Sequence, residues 1–443
     1  MPKDFLANRQ NVVAIDREQL NAKLQAIADQ FDEGWLNAVG GHPLQKLWRR
    51  QDALSTNELL IFGDAVERFR RDSPAWLRGQ VRNIKTGDEG QSAGALFEIV
   101  ALNLFRQDSC RVEPARGAMP GFDGTLFLSD GTRIFVSIKN HGMSTPEREF
   151  RLQAKALDDD FQSQLRETNF NDLEVTVLAA TPMSTRLFSD LNSDIANCLS
   201  KLSSNETPAS VNNPYAILLR NLEEQYGPLS SFGLSSGCRV MAPIAVNEQK
   251  NFEDAIRKGC SNLSKHTKTD DPECYRMIVL RLSNTALISK CVEWANWYFT
   301  EFPDDPVDII LLYQCSVTTT GDASSITHFI QPIFGPRYLK REKRAGGSRL
   351  RLPTMSVFDG NVSTEQPAMR LFNGEGQSLD LSGYYVYQRV DAYQKVEVGE
   401  NTMGNLSNPA DGIMVHSVFE ENGIPSFTVE AKAERYKALL LLP

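Results

Sequence analysis

The stretch PGFDGTLFLSDGTRIFVSIKN, residues 120–140, is the most informative part of the 443-residue chain. The turn sequence Ser-Asp-Gly at 129–131 separates two runs in which apolar and polar residues alternate. Such alternation is typical of strands that bury one face and leave the other polar. The stretch therefore predicts a β-hairpin, and the length of its turn decides which residues of the two strands lie opposite each other.

The turn allows two registers. A two-residue turn would pair Asp123 with Ile138, whereas a three-residue turn with a left-handed Gly131 would pair Asp123 with Ser137. We predict the second register, because it separates aliphatic from polar side chains, which a slip of one residue would mix. In that register one face carries Leu126, Leu128, Ile134, Val136 and Ile138, and the other carries Asp123, Thr125, Arg133, Ser137 and Lys139.

The predicted register brings a carboxylate and an ammonium group together at the open end of the hairpin. Asp123 would lie beside Lys139, and a second acid, Glu98, belongs to a strongly apolar helix predicted at 93–105. An ionised acid on an apolar helix is costly to bury unless it pairs or binds a metal. Carboxylates are ligands for Mg²⁺, and a nearby lysine can orient a water or stabilise a phosphate, as cleavage of a phosphodiester requires.

The order of these residues resembles the PD-(D/E)XK, or restriction-endonuclease-like, nuclease superfamily. The resemblance covers residues 93–202, in which a helix with Glu98, a hairpin with Asp123 and Lys139, a helix, a strand and a helix are predicted in turn. It implies an αβββαβα core and an Mg²⁺ (or Mn²⁺) ion held by Asp123 and Glu98. It also implies a catalytic Lys139 that orients the attacking water.

The chain departs from the family's pattern at two positions. Pro120 stands three residues before Asp123 instead of next to it, and Ser137 replaces the acid that should come two residues before the lysine. A hydroxyl is a weak metal ligand, so the metal would depend on Asp123, Glu98 and the main-chain carbonyl near Ile138. The alternative is a nuclease-like domain with weakened catalysis that acts as a nucleic-acid-binding or assembly module. An ordinary hairpin with a surface ion pair also stays open.

A second match to the motif lies near the C-terminus. Asp411 follows Pro-Ala, and Glu430 and Lys432 have the spacing of the (D/E)XK element. No acidic helix precedes this set, and the eleven residues after Lys432 are too few for a helix, a strand and a helix. We therefore predict a plain hairpin here, which turns at Asn422-Gly423.

Composition argues against several classes of protein. The net charge of −9, from 47 basic and 56 acidic residues, argues against a chain coated with basic residues for nonspecific nucleic-acid binding. The seven cysteines include no Cys-x-x-Cys pair, so neither a zinc ribbon nor a redox dithiol is expected. The chain has no nucleotide phosphate-binding loop and no apolar run of membrane-spanning length. We expect a cytoplasmic protein with reduced cysteines and no membrane contact.

Pattern and composition divide the chain into four regions and predict a multidomain protein of mixed α/β and α+β class. Residues 1–90 are predicted to form a helical domain and 91–205 the nuclease-like core. A linker rich in Ser, Asn and Pro leads to a second α/β region at 206–335, which could itself carry the function. Residues 336–443 are predicted to be rich in β-strands.

A basic stripe, residues 337–352, stands out against the acidic total, with seven Lys or Arg and one acid among sixteen residues. We predict that it follows the phosphate backbone of DNA. The residues predicted to bind nucleic acid are Lys340, Arg341, Lys343, Arg344, Arg349 and Arg351. The function predicted from the sequence is thus a metal-dependent DNA endonuclease of restriction, phage-defence or repair type. Whether the substrate is DNA or RNA, and whether the protein forms a homo-oligomer or binds a partner subunit, stay open.

Overall fold

The computed structural model describes part of the chain, and the statements below concern that part. The described residues are 6, 9, 15–39, 42–50, 53–105, 110–115, 121–142, 144–168, 173–203, 214–221, 237–267, 274–283, 286, 288–320, 323–344, 361–363, 370–372, 378–380, 383–388, 402–405, 416–421 and 424–429. They form a mixed α/β structure with eleven helices, none of which is long and apolar enough to cross a membrane.

The helices and strands are numbered here in chain order. The helices are α1 Arg17–Phe31, α2 Glu33–Asn37, α3 Pro43–Arg49, α4 Ala53–Asp72, α5 Pro74–Thr86, α6 Glu89–Leu104, α7 Thr145–Thr168, α8 Thr185–Ser203, α9 Glu248–His266, α10 Ile288–Glu301 and α11 Pro336–Arg344. The strands are β1 Cys110–Pro114, β2 Gly124–Leu128, β3 Arg133–His141, β4 Leu173–Ala179, β5 Tyr215–Asn221, β6 Gly237–Pro243, β7 Cys274–Leu282, β8 Ile309–Thr320, β9 Ala323–Phe334, β10 Asn361–Ser363, β11 Arg370–Phe372, β12 Ser378–Asp380, β13 Tyr384–Gln388, β14 Thr402–Asn405, β15 His416–Glu421 and β16 Ile424–Val429.

The main sheet has seven described strands in the order β1-β2-β3-β7-β8-β9-β10. The first three form an antiparallel meander, β3, β7 and β8 run parallel, and β9 returns antiparallel to β8. The carboxyl ends of β3 and β7 therefore lie at the same end of the sheet. In α/β proteins this is the end at which ligands bind.

The hairpin formed by β2 and β3 has the predicted register. Leu126 lies opposite Ile134 and Gly124 opposite Val136, and the amide of Asp123 donates to the carbonyl of Val136 at 2.8 Å. Gly131 has a φ of 89°, which is the left-handed conformation that the three-residue turn requires. The separation of aliphatic from polar side chains therefore identified the register correctly.

Helices α1–α6 pack against one face of the main sheet. Phe62 of α4 and Phe97 of α6 belong to the same hydrophobic core as Val136, Met277 and Leu311 of the sheet. Residues 1–90, predicted as a separate helical domain, thus share their core with the strands. A sheet face that is apolar along its whole width needs a layer of helices to cover it.

Helices α9 and α10 cover the opposite face of the main sheet. Ile256 and Tyr298 from these helices pack against Ile278 and Leu280 of β7. This layer also covers the polar face of the hairpin, where Ser137 is fully buried and Thr125 is 8% exposed. The main sheet is therefore the middle layer of a helix–sheet–helix sandwich.

The strand predicted to complete the core does not join the main sheet. The strand predicted to follow the hairpin, β4, belongs to a second sheet, and β7 pairs with β3, with Ile138 opposite Val279. The order helix, three strands, helix, strand, helix is formed by α6, β1–β3, α9, β7 and α10. Residues 91–205, predicted as one core, are therefore divided between two sheets: residues 142–247 are an insertion between β3 and α9, and strands from the region 206–335 extend the main sheet.

The insertion forms a second sheet of four described strands in the order β13-β6-β4-β5, with α7 packed against β6 and β13 and α8 packed against α7. Asp158 of α7 is buried, and its carboxylate accepts the amide of Cys238 from β6 and the hydroxyl of Tyr387 from β13. Strand β13 lies more than 140 residues after β6 in the chain, as their numbers show. The insertion is thus closed by a segment from the C-terminal region.

Two described strands of the C-terminal region, β15 and β16, form the predicted hairpin. Glu421 lies opposite Ile424, and the predicted turn residues Asn422 and Gly423 lie outside the described residues. The competing motif residues Asp411, Glu430 and Lys432 lie outside the described residues.

Candidate active site at the open end of the hairpin

The segment that carries Asp123 is held between two strands and a helix. The carbonyl of Asp123 accepts the amide of Ala115, and its amide donates to Val136. Gly121 has a φ of 124°, and a Cβ there would lie 1.7 Å from the ring of His266 in α9. Only glycine suits that conformation and that contact, so the backbone before Asp123 can follow α9 closely.

Asp123 and Lys139 form an ion pair at the open end of the hairpin. The Nζ atom of Lys139 lies 3.7 Å from Oδ2 of Asp123 and 3.0 Å from the carbonyl oxygen of Ile138. The amide of Ile138 donates to the same Oδ2 of Asp123. Both side chains are about one-fifth exposed, at 22% and 21%. The carboxylate and ammonium that the register predicted to meet are thus in contact and open to solvent.

Glu98 of α6 joins these two residues. Burial and the negative charge of Asp123 raise the pKa of Glu98 to about 7, and a hydrogen bond from Gln80 and the positive charge of Lys139 oppose the rise. The Nε2 atom of Gln80 donates to Oε2 of Glu98 at 2.7 Å. The structure therefore brings the three predicted residues Glu98, Asp123 and Lys139 into one electrostatic site.

The carboxyl of Asp123 is also difficult to ionise. Burial raises its pKa, and the charge of Lys139 together with the amide of Ile138 and the hydroxyl of Ser137 lowers it. Two carboxyls that each have a raised pKa and lie close together are characteristic of functional sites. A bound cation would stabilise the ionised form of both.

Ser137 lies behind the ion pair, on the same strand face as Lys139. Its side chain is fully buried, and its hydroxyl is near enough to Asp123 to lower the pKa of that carboxyl, although the two groups do not form a well-aligned hydrogen bond. A buried hydroxyl that has no hydrogen bond is uncommon in folded proteins. The position at which the family carries an acid thus holds a small polar group with unused hydrogen-bonding capacity.

The donor atoms at this site are of a kind that Mg²⁺ prefers. Glu98 and Asp123 supply hard carboxylate oxygens, which Mg²⁺ prefers, and this ion retains much of its hydration in proteins. The carbonyl of Ile138, the predicted third ligand, accepts the ammonium of Lys139. No group of three or more His, Cys, Asp or Glu side chains within the described ranges is arranged to hold a metal.

Gln80 is a member of the site that the sequence analysis missed. It lies in α5 and is 9% exposed, and the apolar residues Leu77, Val81 and Ile84 on the same helix are also buried. A long polar side chain on the apolar face of an amphipathic helix needs a partner. That pattern was visible in the sequence, but it does not identify Glu98 as the partner.

The first part of the basic stripe forms α11, and two of its arginines are bound within the protein. Arg337 lies 3.3 Å from the buried carboxylate of Asp308, and Arg341 donates to the carbonyl of Cys274 at 2.6 Å and packs over the ring of Tyr275. Cys274 begins β7, whereas Lys139 lies opposite Leu280, six residues further along. At about 3.3 Å per residue, α11 is about 20 Å from the ion pair, at the amino end of the parallel strands.

The other residues of the basic stripe divide into two groups. Lys340 and Lys343 are exposed on α11. The side chain of Arg344 and the whole of Arg349 and Arg351 lie outside the described residues. The prediction that the stripe binds nucleic acid therefore depends, within the described chain, on these two lysines.

Comparison of the chain with known protein families, with curated proteins and with solved structures gave no significant match. The functional assignment of Glu98, Asp123 and Lys139 therefore depends on the geometry and chemistry of the described residues.

Proposed function

We propose that the protein is a metal-dependent nuclease that hydrolyses phosphodiester bonds in DNA, with Glu98, Asp123 and Lys139 as its catalytic residues. The observation that carries the proposal is the meeting of these three side chains at the open end of the hairpin. The order of elements supports it, because α6, β1–β3, α9, β7 and α10 follow the order that the resemblance implies. Restriction, phage defence and repair are all compatible with this chemistry.

Each side chain has a distinct role in this proposal. Asp123 and Glu98 would hold Mg²⁺ or Mn²⁺, which supplies positive charge next to the oxygens of the scissile phosphate. One hydrogen bond of the Lys139 ammonium goes to the carbonyl of Ile138. The ammonium also lies 3.7 Å from Oδ2 of Asp123 and is partly exposed, so its other N–H groups can orient a water or a phosphate oxygen. Gln80 fixes the carboxyl of Glu98 through its hydrogen bond.

A second candidate function is favoured by Ser137. Because this buried residue supplies no charged ligand, metal affinity would be lower than with a third acid. The domain could then bind nucleic acid or assemble with other chains without cutting. The two functions differ in one observable, which is cleavage that depends on Lys139.

The test is cleavage of plasmid DNA, single-stranded DNA and RNA with Mg²⁺ or Mn²⁺. We expect wild type to cut DNA, and Lys139→Ala and Asp123→Asn to lower the rate by about 10²- to 10⁴-fold, the usual contribution of such groups. Lys155→Ala is the matched control, since Lys155 forms an exposed ion pair with Asp159 on α7. Wild type that binds nucleic acid but cuts none of the three substrates would favour the second candidate. Equal cleavage by wild type and Lys139→Ala would refute the proposed site.

A further inference from the structure

A cavity lies where the insertion meets the main sheet, next to the candidate active site. Among its lining residues are His141 from the end of β3, Glu248 from the start of α9, Ala286, Lys290 and Trp294 from the segment around α10, and Tyr385 from β13. His141 follows Lys139 by two residues, so both lie on the same face of β3, about 7 Å apart along the strand. The cavity is therefore within one nucleotide's reach of the ion pair.

Glu248 is the group in this cavity with an unused hydrogen-bonding atom. It is 7% exposed, and its Oε1 atom accepts the hydroxyls of Ser144 and Tyr385. Within the described chain, no hydrogen-bond donor reaches Oε2 and no ion pair neutralises the carboxylate. The other buried acid at the cavity, Glu147, is paired with Arg151 at 3.1 Å. A ligand that donates a hydrogen bond would satisfy Oε2.

Part of the remaining wall is aromatic and includes His141, Trp294 and Tyr384. Trp294 and His141 both contact the ring of Phe252, with ring centroids 5.6 Å apart in each case. Burial lowers the pKa of His141 to about 4, so its imidazole is neutral at neutral pH. Lys290 is paired with Glu293 at 2.6 Å. These groups suit a flat, neutral ring better than an anion, because the carboxylate of Glu248 would repel a phosphate.

The size of the cavity limits the ring to a small one. The space inside it that the centres of water molecules can occupy is about 50 Å³. A water needs roughly 10–15 Å³ on that measure, so the cavity holds about four waters, which is about the space of one six-membered ring with its substituents. A pyrimidine fits this space better than a purine.

We infer that this cavity binds an unpaired cytosine of the substrate, next to the phosphate that is cut. This inference rests on the proposed function, because the nuclease site supplies the nucleic acid. The exocyclic amino group of cytosine donates to carboxylates in protein–nucleic acid complexes, and Oε2 of Glu248 is the acceptor here. Thymine carries a carbonyl at the same position, which the carboxylate would repel. The base must leave its stack to enter, so the preferred substrate is single-stranded or locally opened DNA.

The test is binding of fluorescently labelled (dC)12, (dT)12 and (dA)12 in EDTA, where no cleavage takes place. We expect wild type to bind (dC)12 about tenfold more tightly than the other two, which is the effect of one good hydrogen bond to a base. Glu248→Gln should bring this ratio close to one. The NH₂ group of Gln, which is a donor, would then face the amino group of cytosine, which is also a donor. Glu149→Gln, an exposed acid on α7, is the matched control and should keep the ratio.

A second variant covers the case in which Glu248→Gln disturbs the contacts with Ser144 and Tyr385. Ala286→Leu fills the cavity and alters none of the side-chain hydrogen bonds that line it, and it should also remove the preference for (dC)12. Equal binding of (dC)12 and (dT)12 by wild type, or a preference that survives both variants, would refute the inference. A preference for cytosine in a protein that cuts no substrate would support the cavity and contradict the nuclease proposal, and cleavage without the preference would do the reverse.

Discussion

The two ends of the main sheet use their charged residues in different ways. At the carboxyl end of β3, Asp123 and Lys139 are each about one-fifth exposed, and Glu98 shares their site. At the amino end of β7, Asp308 is completely buried and binds the amide of Arg276 and the guanidinium of Arg337. The first set is accessible to solvent and to a ligand, whereas the residues of the second set bind one another within the protein.

This difference explains why the basic stripe is a weaker indication of function than the hairpin. The stripe was recognised by its charge, and charge in a sequence does not show whether a side chain is bound inside the fold. Arg337 and Arg341 turn out to fasten α11 to the start of β7 and β8. The hairpin was recognised by its register, which fixes the relative positions of Asp123 and Lys139.

Asp308→Ala should have the largest effect on stability. The change removes the acceptor of the Arg276 main-chain amide and leaves the guanidinium of Arg337 without its carboxylate. Loss of one partner of a buried pair costs about 3–5 kcal/mol, so we expect a loss of that size in urea unfolding. Asp304→Ala, an exposed acid in the same loop, should cost less than about 0.5 kcal/mol. A similar loss of stability in both variants would mean that the contacts of Asp308 at the amino end of the sheet add little to stability.

Glu98→Gln should change how stability depends on pH. The folded protein raises the pKa of Glu98 from 4.5 to about 7, so it binds a proton more tightly than the unfolded chain does. The stabilisation from this proton is complete below pH 4.5 and is lost as pH rises through 7, by about 3 kcal/mol in total. Without divalent metal, Glu98→Gln should therefore be more stable than wild type at pH 8 and similar at pH 4. Urea unfolding at both pH values measures this difference. Parallel pH profiles of stability would contradict the raised pKa of Glu98.

Ser137→Asp should strengthen the candidate metal site. A third carboxylate adds a charged ligand where the hydroxyl is buried without a hydrogen bond, and we expect Mg²⁺ to bind about tenfold more tightly in calorimetry. Asp is chosen over the longer Glu because Ser137 is fully buried. Ser137→Ala is the control and should leave Mg²⁺ affinity within about twofold of wild type. Unchanged affinity in Ser137→Asp would place the metal elsewhere.

The double variant Lys340→Ala, Lys343→Ala should have the smallest effect. These lysines are exposed at the end of the sheet opposite the candidate active site, so we expect about fivefold weaker DNA binding. If both contact phosphates, the slope of log affinity against log salt should fall by about two units. Arg341→Ala should instead lower stability, because it removes the contacts with Cys274 and Tyr275. A salt titration of the double variant that does not differ from wild type would mean that α11 does not contact DNA.

Local pattern was sufficient for the elements that carry the site. Alternation with a period of two, together with an Asp-Gly turn, predicted the register that places Asp123 next to Lys139, and the apolar helix before it predicted the position of Glu98. The antiparallel pairing of β15 with β16 was predicted in the same way. These features depend on residues near one another in the chain, so a short stretch of sequence determines them.

The partners of these elements were decided only by tertiary structure. The apolar pattern of a buried strand does not specify which strand will pair with it. Strand β3 pairs with β7, although an insertion of more than 100 residues separates them in the chain. The partner of Gln80, the contacts of Arg337 and Arg341, and the cavity at Glu248 likewise join segments far apart in sequence. Such contacts are selected by packing and by the cost of burying unpaired polar groups, which depend on the whole fold.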